Sequence, residues 1–200
     1  MGLLTPSSGT VEVLGLDAAT TLTREIRNAG VAYIPQDRQR DGLLMTAPLW
    51  ENRVLGHQFA EPLASSIWVN KGAAISDSQR VVDEFDVRTP GVNVLASALS
   101  GGNQQKFIVG RELSGNPKLI VAAQPTRGVD VGAQAIIWDH LMRARSNGAG
   151  VLLVSADLDE LFSLSDRIAV IYNGSIVSVL NPGKTTPEAL GLAMTGAKSA

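Results

Sequence analysis

Cysteine is absent from this 200-residue sequence, and histidine occurs only at His57 and His140. Without thiols the chain can build neither a disulfide framework nor a thiolate metal site, and its composition fits a reducing compartment. Two histidines argue against a zinc site as well. Aromatic residues make up 4% of the chain and the formal net charge is −2. Base-stacking side chains and a global basic footprint are both lacking, which weighs against a nucleic-acid partner. No apolar run approaches the roughly eighteen residues of a membrane-spanning helix, so a membrane role would come through a partner. The segment Met1–Pro6 has no basic region followed by an apolar one, so it is not a secretory signal and reads as a chain entered in mid-fold. What remains is 44% hydrophobic and 18% charged, ordinary for a soluble core of one domain or one slightly incomplete larger one.

Short apolar runs alternate with helical patterns. Strands are predicted at Val11–Leu14, Val31–Ile34, Leu119–Ala123, Val151–Ser155, Ile168–Tyr172 and Ile176–Leu180. The runs at Leu119–Ala123 and Val151–Ser155 read as strands buried on both faces of a parallel sheet. Helical spacing is read at Thr23–Asn28, Leu49–Phe59, Asp77–Phe85, Gly102–Leu113, Gly132–Arg145 and Asp157–Phe162. Asp37–Met45 reads as a loop, Glu61–Ala74 shows no clear period, and Asn173-Gly174 is the strongest hairpin turn. The alternation of strands with helices in the last third indicates α/β architecture.

The most informative string is Leu99-Ser100-Gly101-Gly102-Asn103-Gln104-Gln105-Lys106. Ser100 is a good helix N-cap, Asn103 follows three residues on, and two glycines let an anion approach bare amides at a helix N-terminus. Downstream lie Leu119-Ile120-Val121-Ala122-Ala123-Gln124-Pro125-Thr126 and Arg127-Gly128-Val129-Asp130-Val131-Gly132-Ala133. Upstream is Ile34-Pro35-Gln36-Asp37-Arg38, and Val154-Ser155-Ala156-Asp157 comes last. In order and wording these resemble the signature, the Walker B strand with its D-loop, the Q-loop and the switch loop of ABC-type ATPases. The strings NQQK, DVRTP and PTRGVDVGA are similar to the second, C-terminal nucleotide-binding domain of ABC importers for simple sugars or nucleosides.

The resemblance implies an incomplete ABC-type P-loop ATPase domain: a RecA-like, mostly parallel sheet plus a helical subdomain, without the Walker A strand and helix. In the family that loop directly precedes a segment like Gly2–Gly9, so the chain is expected to be truncated after Walker A, with apolar sheet edges left exposed. The Gly183-Lys184-Thr185 triplet does not replace it, because Ser178 stands where the first glycine is needed and Pro187 hinders a helix after Thr185. The implied division is a core of residues 1–37 and 113–180, a helical and signature subdomain of 38–112, and a C-terminal tail of 181–200.

The resemblance also assigns positions. Ala123 stands at the Walker B aspartate, Gln124 at the catalytic glutamate and Ala156 at the switch histidine. Ala123 cannot ligate a cation, Gln124 cannot accept a proton at neutral pH and Ala156 can do neither, so no catalytic residue is intact and the chain itself has no metal site. Ser100, Gly101, Gly102, Asn103, Gln36 and Asp130 are the nucleotide-binding candidates, while Arg53, Arg111 and Arg127 are read first as solvated or structural. The implied cofactor is ATP, with magnesium in the complete assembly. Implied partners are another ABC nucleotide-binding half, transmembrane permease subunits and, indirectly, a solute-binding protein, at the cytoplasmic face of the membrane. The alternative is a soluble ABC-type ATPase acting on nucleic acid or ribosomes. It is disfavoured because neither the long coiled coil of DNA-repair relatives nor the two catalytic carboxylates of translation-factor relatives is present.

Overall fold

The computed structural model describes residues 4–58, 61–65 and 68–196, which fall into two compact units, Met1–Leu152 and Leu153–Ala200. The first opens with an antiparallel ribbon, β1 (Glu12–Val13) and β2 (Leu16–Asp17). Leu14 and Gly15, with φ of 51° and 81°, form the two-residue turn between them, so the strand expected over Val11–Leu14 ends a residue early. Helix α1 (Thr23–Asn28) buries Ile26 completely and leads through Gly30 into β3 (Val31–Ile34).

Strand β3 pairs in parallel with β6 (Leu119–Ala123), Val31 opposite Leu119 and Ile34 opposite Ala122. Gly30 fixes this register, since its carbonyl accepts the N–H groups of both Lys118 and Leu119. Strand β7 (Gly150–Val154) takes the other side of β6, giving the order β3-β6-β7. Its composition predicts burial on both faces, yet Leu152 and Val154 are 56% and 53% exposed. An edge strand with one face uncovered among the described residues explains the difference.

Between β3 and β6 the chain is mainly helical. Asp37 caps a π-type turn, Arg38–Gly42, where a plain loop is expected. Helix α2 (Leu49–Val54) stops earlier than its spacing predicts, because Leu55 leaves helical geometry; the predicted end at Phe59 lies outside the described residues. Asn52 is fully buried, its amide donating to the Leu44 carbonyl and its Oδ1 accepting the Leu44 N–H. A short ribbon, β4 (Ala64–Ser65) with β5 (Trp68–Val69), follows where no pattern is readable. Helix α3 (Lys71–Glu84) begins well before Asp77, because Asn70 caps the Ala73 N–H at 3.1 Å.

Helix α4 (Gly101–Leu113) is buried from Gln104 to Leu113, although that stretch includes Gln104, Gln105, Lys106, Arg111 and Glu112. Each buried polar atom needs a partner. The Glu112 carboxylate is the densest case: it accepts from Arg27 Nη2 at 3.0 Å, Arg111 Nε at 3.0 Å and the Tyr33 N–H at 3.1 Å. Burial alone would raise this carboxyl, but the two guanidiniums and the amide hold it below the usual range. Arg111 reaches on to the Gly42 carbonyl, and Arg53 pairs with Asp77 at 2.6 Å. Arg53 and Arg111 are therefore structural and buried rather than solvated. Helix α5 (Val131–Ser146) turns its buried side, Ile137 and Leu141, toward the interior, and its His140 ring stacks on Phe85 at 4.0 Å.

The second unit contains α6 (Leu158–Leu164), capped by Asp157, and the antiparallel hairpin β8 (Ile168–Tyr172) and β9 (Ser175–Leu180). Asn173 and Gly174 turn it with φ of 47° and 76°. Leu161, Ile168, Val170 and Leu190 form its core. Leu190 belongs to α7 (Pro187–Met194), a helix within the stretch expected to be a C-terminal tail, where Pro187 is read as hindering a helix after Thr185. The correction is positional: Pro187 occupies the first turn, where its missing N–H is no loss, and Thr186 Oγ1 caps the Ala189 N–H. Gly183 and Lys184 lie in a polar 3-10 turn, Pro182–Lys184. No helix among the described residues is long and apolar enough to cross a membrane.

Glu112→Ala leaves two guanidiniums without their counter-ion and is expected to cost about 3–5 kcal/mol, read as a lowered urea midpoint at unchanged slope; a loss below about 1 kcal/mol would reject the role given to this carboxylate. His57 offers a pH test. Burial lowers its imidazole from 6.5 to about 4, and Nε2 is enclosed without a hydrogen-bond partner among the described residues. The unfolded chain therefore binds the extra proton first, and stability is lost as pH falls from 6.5 toward 4, by about 3 kcal/mol in all. His57→Phe should flatten the stability profile across that window; a profile parallel to that of the parent would refute the assignment.

Candidate functional site

Four of the six binding candidates lie on the turn that opens α4. Gln104 N–H makes the first helical bond, to the Ser100 carbonyl at 2.9 Å, so the N–H groups of Gly101, Gly102 and Asn103 have no intrahelical acceptor. Ser100 occupies the N-cap position, but its side chain makes no cap bond. Its Oγ instead accepts from Asn103 Nδ2 at 3.0 Å. The capping role expected for the Ser100 hydroxyl is thus corrected: the oxygen is engaged by a side chain, and the helix N-terminus stays open to an anion.

The glycines leave room for what approaches them. A Cβ on Gly101 would stand 2.5 Å from Arg38 Nη2, and one on Gly102 would stand 3.2 Å from Asp130 Oδ2 and 3.3 Å from Ala133 Cβ. Arg38 follows the Gln36 loop and holds two other motifs together. Its Nη1 donates to the Arg127 carbonyl at 2.9 Å and its Nε to Gln104 Oε1 at 3.3 Å. Gln104 Nε2 in turn donates to the carbonyls of Ala96 and Leu99, which fixes the chain just before Ser100. Asp130 caps α5 through the Ala133 N–H at 2.9 Å, and that bond, first among its influences, holds its carboxyl below the usual range.

Beside the α4 turn is a cavity of about 240 Å³ whose walls include Arg88, Ser100, Asn103, Lys106 and Asp130. It is lined by neither Gln36, Ala123 nor Gln124. Gln36 is exposed just after the buried Pro35. Ala123 ends β6, and Gln124 turns the chain with φ of 50°, its carbonyl accepting the Arg127 N–H at 3.1 Å. Ala156, in the second unit, is exposed between Ser155 and the α6 cap Asp157. A divalent cation does not fit the end of β6, where the Ala123 methyl has no donor atom and Gln124 no charge. Among the described residues no cluster of His, Asp and Glu side chains is arranged to hold a metal ion.

Arg38, Gln104, Lys106 and Asp86 shape this site, and sequence reasoning gave them no role. The available signal was the polar run Asn103–Lys106 leading straight into the apolar Phe107-Ile108-Val109. On a helix buried all round, such side chains are there to bind neighbouring backbone.

Comparison with known proteins follows the same outline. The family described as ABC transporter matches residues 1–127. The guanosine import ATP-binding protein NupO of Bacillus subtilis is 44% identical over 195 residues, covering 98% of this chain and 38% of its own length. The nucleoside import ATP-binding protein NupA of Lactococcus lactis subsp. cremoris is 40% identical over 195 residues, with the same coverage. The glucose import ATP-binding protein TsgD13 of Haloferax volcanii is 40% identical over 199 residues, which is 98% of this chain and 36% of that protein. The chain thus spans well under half the length of these relatives. In fold it is similar to the dimeric ATP-binding cassette MJ0796 bound to ADP and Pi, with a TM-score of 0.75 at 21% identity over 90% of this chain and 76% of that one. The β3-β6 parallel pairing, the signature turn and the extent of the family match place this chain in the ABC transporter family.

Proposed function

We propose that this chain is a nucleotide-binding half of an ABC importer for nucleosides or sugars, and that it acts mainly by donating its signature turn to the ATP site of a partner half. The relatives named for guanosine, nucleoside and glucose import support the solute class. One contrast carries the donor role: an open, ordered turn at Ser100–Asn103 in a chain with alanine, glutamine and alanine at positions 123, 124 and 156. The cofactor is ATP, with magnesium held by the complete assembly. Its partners are a second ABC half and permease subunits, reached indirectly by a solute-binding protein, and the chain sits peripherally at the cytoplasmic face of the membrane.

In this reading the Ser100 hydroxyl and the N–H groups of Gly101, Gly102 and Asn103 face the γ-phosphate of ATP held by the other half. In the loose transition state the breaking bond leaves its electron pair on the leaving oxygen, while the charge of the transferred group is spread over its three equatorial oxygens. Fixed donors aimed there stabilise that charge without reorganising, and the loss of one commonly costs on the order of 2.7–4 kcal/mol of barrier. Asp130 holds the α5 terminus against Gly102, while Arg38 holds the preceding turn. Gln36 is the candidate link toward the permease.

The 200-residue chain alone is expected to show no magnesium-dependent ATP turnover above that of Ser100→Arg; turnover clearly above that control would defeat the degenerate-site reading. In the complete transporter, Ser100→Arg should abolish ATP-driven uptake while Gln124→Ala changes it little. Equal damage from the two substitutions would remove the donor assignment.

A further inference from the structure

Three groups are lined up in one direction at the mouth of the signature cavity. The Arg88 backbone N–H donates to Asn103 Oδ1 at 2.9 Å. Asn103 Nδ2 donates to Ser100 Oγ at 3.0 Å. A backbone N–H can only donate, so it fixes which end of the Asn103 amide faces the loop and which faces Ser100. With a lone pair of Oγ taken by Asn103, the hydroxyl proton is left for another acceptor, and Ser100 lines the cavity.

We infer that Asn103 is a positioning residue that sets the donor polarity of the Ser100 hydroxyl, with the loop at Asp86–Arg88 as its fixed reference. The inference rests on the donor-half reading given above. That loop is itself tied to α4. Lys106, its side chain only 6% exposed, binds the Asp86 carboxylate at 2.9 Å and also donates to the Asp86 carbonyl. Asp86 holds a left-handed backbone, φ 49°, which turns the chain out of α3 toward Arg88. The order of action runs from Lys106 through the Asp86–Arg88 loop to Asn103 and then Ser100. Without the Asn103 amide, Ser100 is free to rotate its hydroxyl or to cap its own helix, as serine does at most N-termini. The first change withdraws a donor from the cavity, and the second engages an amide that would otherwise face a phosphate.

The test is a double-mutant cycle on the assembled transporter, containing its catalytic half and permease, with ATP hydrolysis as the readout. Ser100→Ala should lower kcat about a hundredfold. Asn103→Leu, equal in shape but unable to hydrogen-bond, should lower kcat about tenfold with little change in KM, because it leaves the hydroxyl present but unaimed. The double variant should be no slower than Ser100→Ala alone. Losses that multiply, or an Asn103→Leu enzyme indistinguishable from the parent, would overturn the positioning role while leaving the donor-half reading intact. If Ser100→Ala itself has no effect, the donor-half reading is what fails. Should the leucine variant not assemble, as judged by a lowered thermal midpoint, Asn103→Ala is measured in the same cycle and held to the same outcomes.

Discussion

A helix buried on all sides while carrying charged and amide side chains is the constraint around which the first unit is arranged. Over Gln104–Leu113, α4 cannot be held by hydrophobic contact alone, because each polar group taken from water must find a partner inside. For four of these side chains the partners include backbone atoms of neighbouring segments: the turn before Ser100 for Gln104, the loop after α3 for Lys106, the Gly42 carbonyl for Arg111, and β3 for Glu112; Gln105 Nε2 is the exception, buried without a partner among the described residues. Such bonds are directional. They fix the rotation of α4 and its position along its axis, where apolar packing would tolerate slippage.

The signature turn gains its order from this arrangement and adds little of its own. Two glycines make it flexible in isolation, and its serine does not cap the helix. Arg38 nevertheless joins it to the Arg127 carbonyl, and Asp130 abuts Gly102. Three sequence motifs far apart in the chain meet through side chains that belong to none of the family's usual catalytic positions. In the proposed donor role, two demands usually combined in an ATPase fall to different chains: holding donors still, which suits this turn, and proton transfer, for which the side chains at positions 123, 124 and 156 carry no ionisable group.

Much of this was legible in the sequence where a local rule decides the outcome. Val31–Ile34, Leu119–Ala123 and Ile168–Tyr172 form the strands that their apolar runs predict, and Asn173-Gly174 makes the predicted turn. The string at Ser100–Lys106 marks the turn that opens α4, and Ser100, Asn103 and Lys106 line the cavity beside it. Local rules failed where a second short-range contact, which apolar periodicity does not register, competes with them. Ser100 has the composition of a cap, but Asn103 takes its oxygen. Pro187 reads as a helix breaker until its position is known to be the first helical one. Asp37–Met45 reads as loop, although Asp37 accepts the N–H groups of Gln39 and Arg40 and winds the chain into a turn that aims Arg38. The early start of α3 follows from Asn70, a cap preceded by no readable pattern.

The outer face of the β8–β9 hairpin has a consequence of a different sort. Ile171, Ile176 and Val179 are 69%, 64% and 59% exposed, and residues 168–180 include no charged side chain and no proline. Natural sheets guard such strands with lysine, proline or a covering element, because an uncharged apolar ribbon is a template for like ribbons. Its colloidal behaviour is therefore governed by whatever covers that face. Uncovered, the ribbon makes self-association rise with concentration even while every bond of the signature turn remains in place.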